Sequence, residues 1–133
     1  MNDVILLVED STDDVFFLGR AMKNAGFSTP LQVAKDGRMA LDYLGGADGY
    51  ADRAKFPLPS LVLLDLKLPH VLGLDVLKWI RSRAEFQTLP VVVLTSSGER
   101  SDLERAYRLG ANSFMVKPSA DDLPALAKCL GEY

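Results

Sequence analysis

Five residues of the types that handle phosphoryl groups and divalent cations stand where short apolar runs end. Glu9 and Asp10 follow Val4 to Val8, Asp65 follows Leu61 to Leu64, Thr95 follows Val91 to Leu94, and Lys117 follows Ser113 to Val116. In an open parallel sheet, ligands bind beyond the carboxyl ends of the strands, where the connection direction switches, so the three acids can converge. Three carboxylates held together repel, and the arrangement is tolerable mainly with a divalent cation or a lysine to compensate them. Carboxylates, water and a backbone carbonyl suit a hard oxygen-binding ion, Mg2+ first, and the absence of a thiolate cluster counts against a soft metal. A hydroxyl and an ammonium facing the same acids can bind phosphoryl oxygens, with Asp65 as acceptor or nucleophile. Taken singly, each residue has an ordinary reading. An acid at a strand end is solvated or caps a helix, Thr95 bonds local backbone, and Lys117 is a surface charge worth little. Their joint occurrence after strands one, three, four and five gives the combination its weight.

The elements that must position these residues are legible as alternating patterns. The runs Val4 to Val8, Leu61 to Leu64 and Val91 to Leu94 have the length and composition of strands buried on both faces. Leu31 to Ala34 and Ser113 to Val116 are weaker strand candidates. Helical spacing marks Asp13 to Asn24, Arg38 to Leu44, Leu74 to Arg83, Asp102 to Leu109 and Asp121 to Leu130. Five strands alternating with five helices predict a single open five-stranded parallel sheet with helices on both faces. Gly26, Gly98 and Gly110 fall where turns are wanted, and Ser101 and Ser119 are placed to cap the helices that follow them. The segment from Gly45 to Ser60 is too rich in glycine and proline for a regular element. It reads as an exposed connection, with a partner-binding loop carrying Tyr50 and Phe56 as the rival.

Composition narrows the class. At 133 residues, 48% apolar and 25% charged, the chain has room for one domain spanning 1–133 and no second module. Its 15 basic and 18 acidic side chains leave a net charge of -3, which supplies no field to gather nucleic acid or anionic lipid. Cys129 is the sole cysteine, so no internal disulfide and no Cys/His metal site can form. The N-terminal apolar run is too short for a signal peptide or membrane span, and a cytoplasmic protein is expected.

The acidic pair in LLVEDS, the aspartate in LVLLDLKLP, the hydroxyl in VVVLTSS and the lysine in FMVKPS together resemble the receiver-domain family of bacterial two-component response regulators, over nearly the whole chain. The resemblance implies a (βα)5 flavodoxin-like topology. It also implies that Asp65 accepts a phosphoryl group from a histidine kinase or phosphotransfer protein. Mg2+ would be organised by Glu9, Asp10, Asp65 and the backbone carbonyl of Lys67, the Glu9 part through water. Thr95 would turn toward the phosphoryl oxygens and Lys117 would pair with them. Phe114 occupies the place of the switch aromatic, with plain packing in strand five as the coexisting reading, and Lys117-Pro118 resembles a step often cis in the family. The extended loop before strand three resembles the small regulators paired with phytochrome-type sensor kinases. On the same footing the expectation is a stand-alone signalling phosphoacceptor rather than an enzyme, acting on a downstream protein target. A homodimer through the fourth and fifth helices and fifth strand is the family's common assembly.

Some residues depart from that pattern or stand apart from it. Leu72 replaces the acid common before the glycine of the turn after Pro69, so a local turn interaction is lost. Lys67 can overhang the phosphate, and Ser96 is small enough to admit a donor or attacking water. His70 reads as an exposed turn residue, Trp79 as core packing and Cys129 as a small buried hydrophobe. A receiver that binds targets without phosphorylation is the nearest alternative. A flavodoxin-like cofactor binder conflicts with the acidic turn STDD after Asp10, and a Mg2+-dependent phosphohydrolase lacks a visible acid for its leaving group.

Overall fold

In the computed structural model, residues 4–24, 26, 28–47, 49–95 and 100–116 are described. The chain alternates β1 (Ile5–Val8), α1 (Thr12–Asn24), β2 (Leu31–Ala34), α2 (Gly37–Gly45), β3 (Leu61–Asp65), α3 (Gly73–Ser82), β4 (Val91–Thr95), α4 (Arg100–Arg108) and β5 (Ser113–Val116), with one 3-10 turn at Ala84–Phe86 before β4. The five strands form one parallel sheet in the order β2-β1-β3-β4-β5. This is the flavodoxin-like arrangement, and its connections reverse direction between β1 and β3.

Strand alternation explains the continuous apolar runs. Leu6, Val8, Val62, Leu64, Val91 and Val93 face one layer, where Ala40 and Tyr43 of α2, Val76, Leu77 and Ile80 of α3 and Ala106 of α4 close over them. Ile5, Leu7, Leu61, Leu63, Val92 and Leu94 face the other, covered by Leu18 and Met22 of α1. A strand buried on both sides has little place for a polar residue before its last position. Each such leucine or valine contributes roughly 1.5–3 kcal/mol of burial. No described helix is long and apolar enough to cross a membrane.

Among the described residues, the strand and helix expectations agree with the structure to within about a turn, with two corrections. Ser101 does not cap α4: the helix already includes Arg100, so Ser101 lies inside its first turn. The connection after α2 does not present Tyr50 and Phe56 outward, as the partner-binding reading would have them. Both rings turn inward, packing on Tyr43 with centroids 5.2 and 6.0 Å away and on each other at 4.9 Å. Arg53 drives this closure. Its guanidinium donates to the carbonyls of Tyr43 at 2.8 Å and Leu44 at 2.9 Å, in the last turn of α2, and of Phe56 at 3.3 Å, bridging the helix end to the connection. Tyr43 Oη adds a bond to the Pro57 carbonyl at 2.7 Å. Burial pushes the Tyr43 phenol pKa up, with Arg53 opposing and Tyr50 assisting.

Gly26 and Gly110 have positive φ, as turn residues should. The fifth helical stretch, Ser119, Gly98, Ser96 and Cys129 lie outside the described residues. Trp79 is partly buried against the core, with the Arg83 guanidinium over its ring at 5.2 Å.

Candidate functional site

The direction reversal between β1 and β3 opens a crevice at their carboxyl ends, and the three acids meet there. Glu9 and Asp65 are buried, at 3% and 4% exposure, while Asp10 is exposed. One carboxylate oxygen from each lies within 4.8 Å of the others. At that spacing each pair of charges repels by on the order of 3 kcal/mol at an effective dielectric of about 20. A divalent cation would offset such crowding.

Local structure fixes each acid. Glu9 leaves β1 with its amide donating to the Ala34 carbonyl at 2.9 Å, and its Oε1 accepts the Ser11 amide at 3.1 Å. Ser11 in turn caps α1, its hydroxyl accepting the Asp14 amide at 3.3 Å. Asp65 is the last residue of β3, one place further into the strand than the apolar run alone marks. Its Oδ1 accepts the Lys67 amide at 3.1 Å, which orients the carboxylate from within its own turn.

The turn after Asp65 is held by buried Leu66 and Leu68 and by the Gly73 amide, which donates to the Leu66 carbonyl at 3.1 Å. A Cβ on Gly73 would lie 2.3 Å from the Asp65 carbonyl oxygen and 2.6 Å from the Leu66 Cα. Only glycine lets α3 start this close to the end of β3. Leu72 sits just before that helix, largely exposed and without a side-chain cap bond, so the expected loss of a turn interaction holds. His70 is an exposed turn residue with φ 70°, its Nε2 4.0 Å from Asp36 Oδ2.

Thr95 ends β4 in register with Val116, the last residue of β5. That places it at the acid end of the sheet. Its side chain, Lys117 and the Lys117-Pro118 step lie outside the described residues. Phe114 is partly buried against the core from β5, as its packing reading requires. Two features escaped the sequence reading. Lys35 joins Glu9, Asp10, Thr12, Val15 and Val33 around a shallow pocket beside the acids, and Asp36 caps α2 through a 2.8 Å bond from the Met39 amide. An Asp before Gly37 at the start of a helical pattern was the available signal for the cap.

Comparison with known proteins agrees with this geometry. Residues 5–128 match the response regulator receiver domain. The probable methanogenesis regulatory protein FilR2 of Methanothrix harundinacea is 41% identical over 131 residues, covering 98% of this chain and 82% of that protein. The crystal structure of the Mn(2+)-bound form of response regulator Rcp1 superposes with a TM-score of 0.86 at 32% identity, covering 98% of this chain and 93% of that one. The phosphorylated cyanobacterial phytochrome response regulator RcpA gives 0.89 at 32% identity, covering 99% and 93%. The cluster of Glu9, Asp10 and Asp65 matches the Mg2+-coordinating site of receiver domains and is typical of phosphoaccepting response regulators. With that cluster at the crevice and the match running through almost the whole sheet, the chain belongs to the response regulator receiver domain family.

Proposed function

We propose that Asp65 is the phosphoryl acceptor and that the domain, over 1–133, works as a switch set by a histidine kinase or phosphotransfer protein. The convergence of Glu9, Asp10 and Asp65 within 4.8 Å carries this reading. Members of the family are signalling phosphoacceptors whose chemistry is limited to their own phosphorylation and dephosphorylation. Here the Asp65 carboxylate would attack the phosphorus of a phosphohistidine. An O–P bond forms, the N–P bond breaks, and the donor imidazole leaves with the electron pair and takes a proton.

Glu9, Asp10, Asp65 and the Lys67 carbonyl would hold Mg2+, which supplies neutralisation of the crowded carboxylates and of the incoming phosphoryl oxygens. That response regulator Rcp1 has a Mn(2+)-bound form supports divalent-ion binding by this chain as well. The Lys67 amide keeps Asp65 aimed during transfer. Thr95 and Lys117 engage the phosphoryl oxygens once they arrive. The end of β4 and the Phe114 region then move, biasing an equilibrium between two arrangements of the α4–β5 face.

A phytochrome-type kinase is the proposed donor, supported by the likeness to RcpA. Phe16 and Phe17 are exposed on α1, which begins two residues after Asp10, and offer apolar surface to such a partner. We further propose a cytoplasmic setting, a downstream protein target, and a homodimer through the fourth and fifth helices and fifth strand.

The test is intact mass after incubation with Mg2+ and a small acyl-phosphate donor. One labile phosphoryl adduct is expected on the native chain and none on Asp65→Asn or with chelator. Failure with that donor and with several phosphohistidine donors would instead favour a receiver that binds its targets without phosphorylation.

A further inference from the structure

We propose that Tyr107 is a positioning residue of the phosphorylation response, its hydroxyl holding the backbone amide of Phe114 and tying the last turn of α4 to β5. This rests on the reading above, in which the Phe114 region answers to Asp65. The Phe114 amide donates to Tyr107 Oη at 3.2 Å. β5 is an outer strand of the sheet, so amides on its open side need a partner other than a neighbouring strand. The phenol supplies one. Tyr107 is 47% exposed, so core packing does little to hold its ring, and the hydroxyl contact is the constraint that remains.

The same helix end is fastened elsewhere. The Gly110 amide donates to the Tyr107 carbonyl at 3.1 Å and the Ala111 amide to Ala106 at 2.9 Å, with Gly110 at φ 104° closing the turn. From α3, Arg81 Nε donates to the Gly110 carbonyl at 2.9 Å and Nη2 to Asn112 Oδ1 at 3.0 Å. Asn112 Oδ1 also accepts the Val91 amide at 2.9 Å. The α4–β5 connection is therefore clamped to α3 and to the amino end of β4, the end of the strand opposite the acids. With that end fixed, displacement of α4 against β5 is a pivot. Phe114 pairs with Val93 in register, between the clamp and the Thr95 level. The Tyr107 bond is thus the first tie beyond the clamp to be stretched when the acid end of β4 and α4 shifts.

Tyr107→Phe keeps the ring and removes the acceptor oxygen. Amide exchange and amide NMR spectra of the full chain, native and Y107F, are compared with and without Mg2+ and acyl phosphate, with intact mass recording the adduct. Without phosphate, the Phe114 amide should exchange about three- to tenfold faster in Y107F while Met115 is unchanged. In the native chain, phosphorylation should move the Phe114 resonance in the direction that Y107F moves it. Equal Phe114 exchange in the two proteins overturns the tie. Full adduct formation on the native chain with a stationary Phe114 resonance overturns its part in the response. Absence of an adduct on the native chain overturns the phosphoacceptor reading itself, and mass alone distinguishes that outcome.

Discussion

The crevice acids and the connection after α2 are built on opposite principles. At the crevice, like charges are forced together with their oxygens within 4.8 Å. Across the connection, Arg53 meets three carbonyls and three aromatic rings close on one another. The first region gives up stability to keep a charged ligand's place ready. The second removes every tension it can. The contrast teaches that in this domain irregular backbone is not by itself a sign of function; crowding of like charges is the better marker.

That contrast can be broken at several points. Asp65→Asn should abolish the acyl-phosphate adduct completely while leaving the thermal midpoint equal to or above that of the native chain, because one repelling charge is gone. A fall in the midpoint would mean that the acids stabilise the fold. Gly73→Ala should destabilise by about 1–3 kcal/mol in urea, since its Cβ meets the Asp65 carbonyl oxygen at 2.3 Å, and should also slow adduct formation. Wild-type phosphorylation kinetics in that variant would show that the turn does not position the acceptor.

Arg53→Ala should cost about 2 kcal/mol through the lost bonds to the Tyr43, Leu44 and Phe56 carbonyls, yet leave the adduct rate unchanged, which separates the two regions directly. The smallest effect is expected from Tyr43→Phe, about 1 kcal/mol for the bond to Pro57. It carries a pH signature as well. The folded Tyr43 pKa is raised above 10.0, mainly by burial, so the neutral phenol binds its proton more tightly in the native state. Its stabilisation is full below that value and declines as pH rises through the folded pKa. Unfolding midpoints measured up the alkaline side should therefore fall more steeply for the native chain than for Y43F.

Much of this molecule was legible before its structure. Leu61 to Leu64 reads as a buried strand because both of its faces are covered, and the first acid after such a run must stand at the carboxyl end of the sheet. The same logic found Glu9 and Asp10. What stayed hidden depends on contacts between segments that the sequence does not place side by side. Arg53 looks like any surface arginine until the end of α2 is seen beneath it. Tyr50 and Phe56 looked exposed because glycines and prolines surround them, yet Tyr43 and the core recruit both rings. Ser101 was misread as a cap because a helix start pattern cannot fix its first turn. Tyr107 gives no local sign of reaching Phe114, since the bond exists only once the Gly110 turn folds the strand back beside the helix.

The strand order also sets a schedule for synthesis. β1 lies between β2 and β3, and the Ser60 amide reaches back to the Val4 carbonyl at 2.9 Å. A nascent chain that has released only β1 and β2 from the ribosome carries Glu9 and Asp10 but not Asp65. Even after Asp65 emerges, β3 stays an open edge until β4 follows. The three acids come together only once β3 pairs with β1, so the cation site forms with the sheet rather than before it.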